Sequence, residues 1–416
     1  MRWYQEGPVA RAIAAARPWF TANATTLAMV LVAAYIYVLR QPTYITAAKM
    51  VAEDATVFFE GAFLSGPGSL FQAYNGQIFL FQRLVALGAT ILPISVQPAV
   101  YALAGMSVAV VSCCIALSSR WRLPVPLAAR FVCVLALLGS PAVNDVYVSL
   151  LNTHWWLAIG LVLLGMLSDP LSRRMRLGEI AFTAVAALSG FAAVYAIPSL
   201  AVRAIRNRSR HSVILLGVAL AGSLIEVVCL MTSTRPLGTT PFQNPKMAVL
   251  GFVKRVLAGP ILGDTNLAVL WQYLLPNRWV WLLVIALVVA LAVVWLRAPR
   301  LELAAILSTI LIGWVLALGA VPDPGYLLAI SGRYFLVSIA MLYVGLILSW
   351  PTGTMKRTMA GLACVLLVTG ILSDYHFAPL PDSTWASFAA CMDSRATSCS
   401  TVIYPGWQMQ LMPHGH

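Results

Sequence analysis

The chain has 416 residues, 60% of them hydrophobic and only 10% charged, with mean hydropathy +0.85 and a formal net charge of +13. A soluble domain carries about 25% charged residues, so a fold solvated by water over most of its surface is excluded and a lipid-solvated one is implied. The apolar stretches are continuous and do not alternate, which excludes an outer-membrane barrel. The basic residues fall in short bursts between apolar runs, a pattern of positively charged loops and not of a nucleic-acid-binding face.

Arg2, Arg11 and Arg17 precede a run over 21–39 that is long enough to span. No small-residue cleavage site follows, so the run reads as an uncleaved first helix with a cytoplasmic N-terminus. Next comes a polar island, "KMVAEDATVFFEGAFLSG", in which Glu53, Asp54 and Glu60 gather three of the chain's 14 acidic residues. Glu53 and Asp54 open a short amphipathic segment. Asp54 suits a helix N-cap, where backbone N–H groups favour a carboxylate. It equally suits a general base at the membrane surface, with Glu53 as the fallback and Glu60 on a solvated face. The residues leave both readings open.

The following run, 77–92, carries Gln77, Gln82 and Arg83. An arginine at the centre of a lipid-exposed span costs about 2.5–3.5 kcal/mol. A crossing here would also put Arg120 and Arg122 outside. The segment is therefore expected to be an amphipathic helix lying on the outer membrane surface. Crossings are predicted over 98–118, 125–143, 149–167, 177–190, 191–205, 212–231, 278–296, 302–320, 334–350 and 358–373, about eleven with the first. The pair meeting at Ser189-Gly190 is short enough to be re-entrant. This topology sets the bursts around Arg120, Arg173, Arg203, Arg297 and Lys356 in the cytoplasm. It leaves 41–98, 144–148, 232–277, 321–332 and the tail outside, so the chain divides into a membrane domain, 1–373, and an external tail, 374–416.

Outer-side cations suited to a phosphate are Arg333 (with Tyr334 beside it in "AISGRYF"), Arg83, Lys246, and Lys254-Arg255 in "GFVKRVLAGP". Each is as well suited to snorkelling toward lipid headgroups. Asn152 and His154 in "NTHWW" form a polar and aromatic cluster, readable as an interface belt with a structural histidine or as a set of sugar-hydroxyl ligands. Glu226 lies inside a predicted span, placed to touch substrate, pair with an arginine or sit protonated. Cys391 and Cys399, in the polar external tail, are expected to form a disulfide. The other five cysteines lie inside apolar runs. The sequence has no His-X-X-X-His pair, no zinc-type cysteine spacing, no Walker loop and no dinucleotide fingerprint.

An acidic pair just after the first membrane helix, in a large outer loop of interfacial helices, resembles the GT-C superfamily of integral-membrane glycosyltransferases. "EDATVFFEGA", "SLFQAYNGQIFLFQRLVA", "NTHWW" and "SGRYFL" are similar to segments of bacterial members; "NGQIFLFQR" departs where a more polar, Pro-containing segment is expected. The resemblance covers 20–350 in architecture. It implies an all-α polytopic bundle of the bacterial plasma membrane, with Asp54 or Glu53 as the catalytic or acceptor-orienting residue. It also implies a sugar on polyprenyl phosphate or diphosphate as donor, a cell-envelope glycan or lipid-linked acceptor, and compatibility with a carboxylate-bound divalent metal. The competing readings are an O-antigen ligase or polymerase and a lipid-linked sugar transporter or flippase. The first would concentrate its key residues in one large late loop, and the second would place charges at mid-membrane on several helices.

Overall fold

The computed structural model describes residues 8–141, 145–234, 245–263, 266–267, 278–295, 299–320, 332–349, 354–376, 379–381, 383–394 and 398–412. They are almost entirely helical. The long helices are α1 (Pro8–Arg40), α4 (Gln97–Cys114), α5 (Leu127–Leu138), α6 (Thr153–Gly165), α7 (Arg173–Ala187), α8 (Ala192–Asn207), α9 (Arg210–Thr232), α11 (Arg278–Trp295), α12 (Arg300–Ala320), α13 (Leu336–Leu348) and α14 (Thr354–Ser373). Between α1 and α4, a π-helical turn (Asp54–Phe59) runs into α2 (Glu60–Ser65), followed by α3 (Leu80–Ala89). Helix α10 (Pro245–Phe252) precedes a second π-helical turn, Val253–Ala258. At the C-terminus α15 (Trp385–Asp393) precedes β1 (Cys399–Ile403) and β2 (Trp407–Leu411), an antiparallel hairpin with Thr401 opposite Met409.

Helix α6 is apolar all round, the signature of a helix with no solvent face, and each of its residues is buried. It packs against α4, α7, α8 and α13, and Trp156 in its first turn is among the largest fully buried side chains. The outer helices show the opposite pattern. Helix α9 buries Leu215, Ala219, Gly222 and Glu226 at helical spacing and exposes Leu220, Leu224, Val228 and Met231. Continuous apolar exteriors of this kind suit lipid and not water. Four described helices are long and apolar enough to cross a membrane: Asn23–Arg40, Ile94–Leu117, Arg210–Thr232 and Arg300–Ala320. Several shorter apolar helices lie among them.

The helices alternate in direction between two polar ends. At one end Arg203 bonds Asp169 at 3.0 Å and Glu179 at 2.7 Å, and His211 meets Glu179 at 2.8 Å. Arg120 pairs with Glu179 as well, and Glu302 pairs with Arg206 at 3.4 Å and Arg122 at 3.9 Å. This network joins the loop after α4, the loop after α6, helix α7 and the starts of α9 and α12 to the end of α8. The opposite end, where α6, α8 and α13 begin and α9 and α12 finish, carries the first loop and the C-terminal module. There Phe59 packs edge-on against Trp385 and Phe388, with ring centroids 5.1 and 6.1 Å apart. The Ala52 N–H donates to the Tyr404 carbonyl at 2.8 Å, and Cys391 is joined to Cys399. The tail thus folds onto the loop that carries the acidic pair.

Candidate active-site cavity

A cavity of about 410 Å³ opens at this second end, within the size range of small-ligand sites. Its polar side is assembled from four separate elements: Glu53 of the first loop, Asn75 and Gln77 of a tight turn, Asn152 and His154 at the start of α6, and Arg333 of the 3-10 turn Gly332–Phe335. The rest of the lining is largely apolar, with Val194 of α8, Val227 and Leu230 of α9, and Val315, Leu316 and Gly319 of α12. Aromatic rings complete the lining. Trp155 meets Tyr334 edge-on at 5.8 Å and Tyr195 at 6.0 Å, and Phe79 meets His154 at 5.6 Å.

The turn explains itself from sequence. Tyr74 and Gln77 exchange backbone hydrogen bonds at 2.8 and 3.0 Å, with Asn75 and Gly76 between them at φ +50° and +76°. Asn-Gly is the dipeptide that tolerates two successive positive φ values. A Cβ on Gly76 would lie 2.8 Å from the Leu230 Cα, so glycine also lets this turn approach the end of α9. Gly190, at φ +77°, plays the matching part on the other side; a Cβ there would lie 2.7 Å from Gln77 Oε1. Glu226 ties the two turns together. It is fully buried and accepts the Ile78 N–H at 3.2 Å and the Gly190 N–H at 3.2 Å. Its partners are backbone amides, and it is not among the cavity-lining residues, so it shapes the wall instead of touching the contents.

The acidic pair divides in the same way. Glu53 lines the cavity, whereas Asp54 is 2% exposed and turned away from it. Asp54 Oδ1 accepts the Ser149 hydroxyl at 3.0 Å and the Leu151 N–H at 2.9 Å, and Oδ2 accepts the Leu150 N–H at 2.8 Å. The N-cap position of its own π-helical turn belongs to Glu53, which makes no side-chain cap bond; Asp54 instead holds a turn 95 or more residues away, just before α6. Burial pushes its carboxyl up to about 7, against the three hydrogen bonds, while the neighbouring Glu53 adds to the rise. The pair does not fit a divalent cation, because one carboxylate already has hydrogen-bond donors on both oxygens. Among the described residues no cluster of three His, Cys, Asp or Glu side chains is suited to a metal.

His154 Nδ1 lies 2.7 Å from the Leu151 carbonyl. That contact fixes Nδ1 as the protonated nitrogen of the neutral ring and leaves Nε2 with a free lone pair on a residue that lines the cavity. Trp155 Nε1 is buried without a hydrogen-bond partner in the same wall. Tyr334 lines the cavity beside Arg333.

The remaining sequence candidates are placed elsewhere. Arg83, expected on a membrane-surface helix, is 2% exposed; α3 is covered by the first loop, α4 and α7. Its Nε donates to the Ile78 carbonyl at 3.1 Å, its guanidinium lies 5.7 Å from the Phe58 ring, and one terminal nitrogen is buried without a partner. Burial lowers the pKa of its guanidinium. Lys254 and Arg255 are buried in the π-helical turn Val253–Ala258 and not spread on an interfacial face. That turn packs against the turn bearing Arg333, but neither residue lines the cavity. Lys246 belongs to α10, and its side chain lies outside the described residues, as do Asn144, the Asp145 side chain and 321–331. Sequence reasoning missed Gln77, Tyr195, Phe191 and Gly319. The Asn75-Gly76 dipeptide, a turn signal, is the local feature that could have found this wall.

No protein-family model, no curated protein and no solved structure matches the chain.

Proposed function

We propose that the chain is a membrane glycosyltransferase that moves a sugar from a polyprenyl-phosphate carrier to a cell-envelope glycan or lipid-linked acceptor at the outer face of the bacterial plasma membrane. The observation that carries this reading is the mixed lining of the cavity, which joins Glu53, Asn152, His154 and Arg333 with Leu230, Val315 and Leu316. A substrate with a charged, hydroxyl-rich head and a hydrocarbon chain is the chemistry such a wall complements. The alternating helix directions support about eleven crossings, with the arginine network in the cytoplasm and with α2 and α3 as interfacial elements of the outer loop.

In this reading Glu53 is the general base. It takes the proton of the acceptor hydroxyl as that oxygen attacks the anomeric carbon. The bond from that carbon to the phosphate oxygen breaks, and its electrons leave with the carrier phosphate. Arg333 stabilises the charge gathering there, the role a guanidinium fork suits best. His154 Nε2 and the Trp155 Nε1–H orient sugar hydroxyls, as an acceptor and a donor. Asp54 and Glu226 act as positioning residues through the backbone segments they hold. The test is mass spectrometry of envelope glycans from cells that lack the chain. They are expected to lose one sugar substituent, restored by the wild-type chain and not by Glu53→Gln. Unchanged glycans in the deleted cells would overturn the proposal.

A further inference from the structure

Glu53 stands between two clamped residues. On one side, Asp54 is fixed to the turn before α6 by three hydrogen bonds. On the other, Ala52 holds φ +38°, a left-handed conformation that is unfavourable for any residue with a Cβ. Such a conformation persists only where the surroundings enforce it. The Ala52 carbonyl accepts the N–H groups of Ala55 at 3.1 Å and Thr56 at 3.2 Å, bonds made within the first loop. Its own N–H donates to the Tyr404 carbonyl at 2.8 Å, a bond supplied by the far end of the chain. Tyr404 lies between β1 and β2, bridged in parallel to Val51. The hairpin is tied to α15 by the Cys391–Cys399 link, and the Thr384 hydroxyl just before α15 accepts the Val402 N–H at 3.0 Å. Helix α15 is seated in turn on the outer loop. Trp385 and Phe388 pack against Phe59, and the Trp385 Nε1–H donates to the Ile94 carbonyl at 3.1 Å. Lys49 Nζ adds a bond to the Leu380 carbonyl at 2.6 Å.

We infer that the C-terminal module is a positioning element of the active site: by holding Ala52 left-handed, it aims the Glu53 carboxylate into the cavity. Without the Tyr404 bond, Ala52 relaxes to a negative φ. That rotation reorients the chain entering Glu53 about the anchored Asp54 and turns the carboxylate from the acceptor. This role rests on Glu53 being the base of the glycosyltransferase reading, and it adds the residue and the segment that set the direction of that base. The Cβ of Ala52 separates positioning from simple bracing. Glycine adopts a positive φ without the steric cost, so it keeps access to the productive conformation when the module lets go. A tail that only braced the fold would be indifferent to that Cβ.

The test uses the full chain in lipid nanodiscs, supplied with lipid-linked sugars and acceptor glycans extracted from its own membranes, and reads kcat and KM for polyprenyl-phosphate release. Trp385→Ala with Phe388→Ala undocks the module and is expected to lower kcat at least about tenfold at unchanged KM, as for a misaimed catalytic group. Adding Ala52→Gly is expected to recover most of that loss. Ala52→Val leaves the module intact but makes the left-handed φ costlier, and is expected to lower kcat in the same way. Full kcat in the undocked chain or in Ala52→Val, or a loss that Ala52→Gly does not relieve, overturns the positioning role. Amide exchange over 50–54 gives a reading that does not depend on the reaction, and undocking is expected to speed it at least about tenfold. Unchanged exchange overturns the clamp outright. No release by the wild-type chain, with exchange that still responds to undocking, overturns the glycosyltransferase reading and leaves the clamp on Ala52 standing.

Discussion

The two polar ends of the bundle handle buried carboxylates in opposite ways. At the arginine-rich end, Glu179 and Glu302 are neutralised by cations, Arg203 alone bridging Asp169 and Glu179. At the cavity end, Asp54 and Glu226 are held by neutral donors, chiefly backbone N–H groups of distant segments. The first arrangement cross-links helix ends by charge. The second uses carboxylates to fix loop backbone, which keeps a shaped wall beside Glu53. The arginine-rich end is built to stay closed, the other to hold an opening in register.

The largest expected effect lies in the network. Arg203→Met leaves Glu179 and Asp169 short of their fully buried partner, and removing one member of a buried pair costs about 3–5 kcal/mol. A matching drop in melting temperature and in monodisperse yield should follow. A change equivalent to less than about 1 kcal/mol would show that the network is not structural. Asp169 reinforces it: burial alone would raise this carboxyl, but hydrogen bonds from Ser209, Ser212, Asn207 and Arg203 outweigh that and hold it well below the usual range.

Asp54 should reveal the contrast through pH. Its carboxyl is raised to about 7 in the fold, against about 3.9 in an unfolded chain. Between those values the folded form binds the extra proton. Stability is therefore greatest below about pH 4, falls as pH rises, and levels off above about 7. Asp54→Asn is expected to flatten that slope and to cost about 1.5–3 kcal/mol at low pH through its altered hydrogen bonds. Unfolding midpoints measured at pH 4, 5.5 and 7 test this, and a slope that survives the substitution contradicts it.

Two smaller effects complete the series. The Cys391–Cys399 link closes a short loop, with a sequence separation of 8, and a loop of that size contributes about 2.5 kcal/mol by the chain-entropy account. Cys391→Ser with Cys399→Ser should raise amide exchange in 49–60 as well as in the tail, because Ala52 is bonded to Tyr404. Exchange confined to the tail would mean that the module does not brace the acidic loop. Arg206→Ala should cost less than about 1 kcal/mol, since its side chain is 46% exposed and its pairing is solvent-screened.

What the sequence disclosed follows from range. Runs such as 212–231 announced α9 because hydropathy and helical period are local, and the basic bursts located one end of the bundle. The same hydropathy could not tell α6, buried on every side, from α9, which exposes a stripe. Arg83 read as a surface residue because nothing local to 77–92 reports the first loop, α4 and α7 that cover it. The acidic pair was visible, but its division of labour was not. Whether Glu53 or Asp54 faces the cavity depends on the Ser149 hydroxyl and the amides of Leu150 and Leu151, contributed by chain far downstream. Glu226 was likewise legible as an intramembrane carboxylate, while its partners at Ile78 and Gly190 were not.

The central claim is that Glu53 acts on a lipid-phosphate-linked sugar while Asp54 only supports it. The most direct measurement is release of free polyprenyl phosphate by nanodisc-embedded chain supplied with the lipid-linked sugars and acceptor glycans extracted from its own membranes. Glu53→Gln is expected to lower the rate by about 10²–10⁴-fold with an unchanged melting temperature, as for loss of a general base. Wild-type rates from Glu53→Gln, or no release by the wild-type chain, would contradict the account.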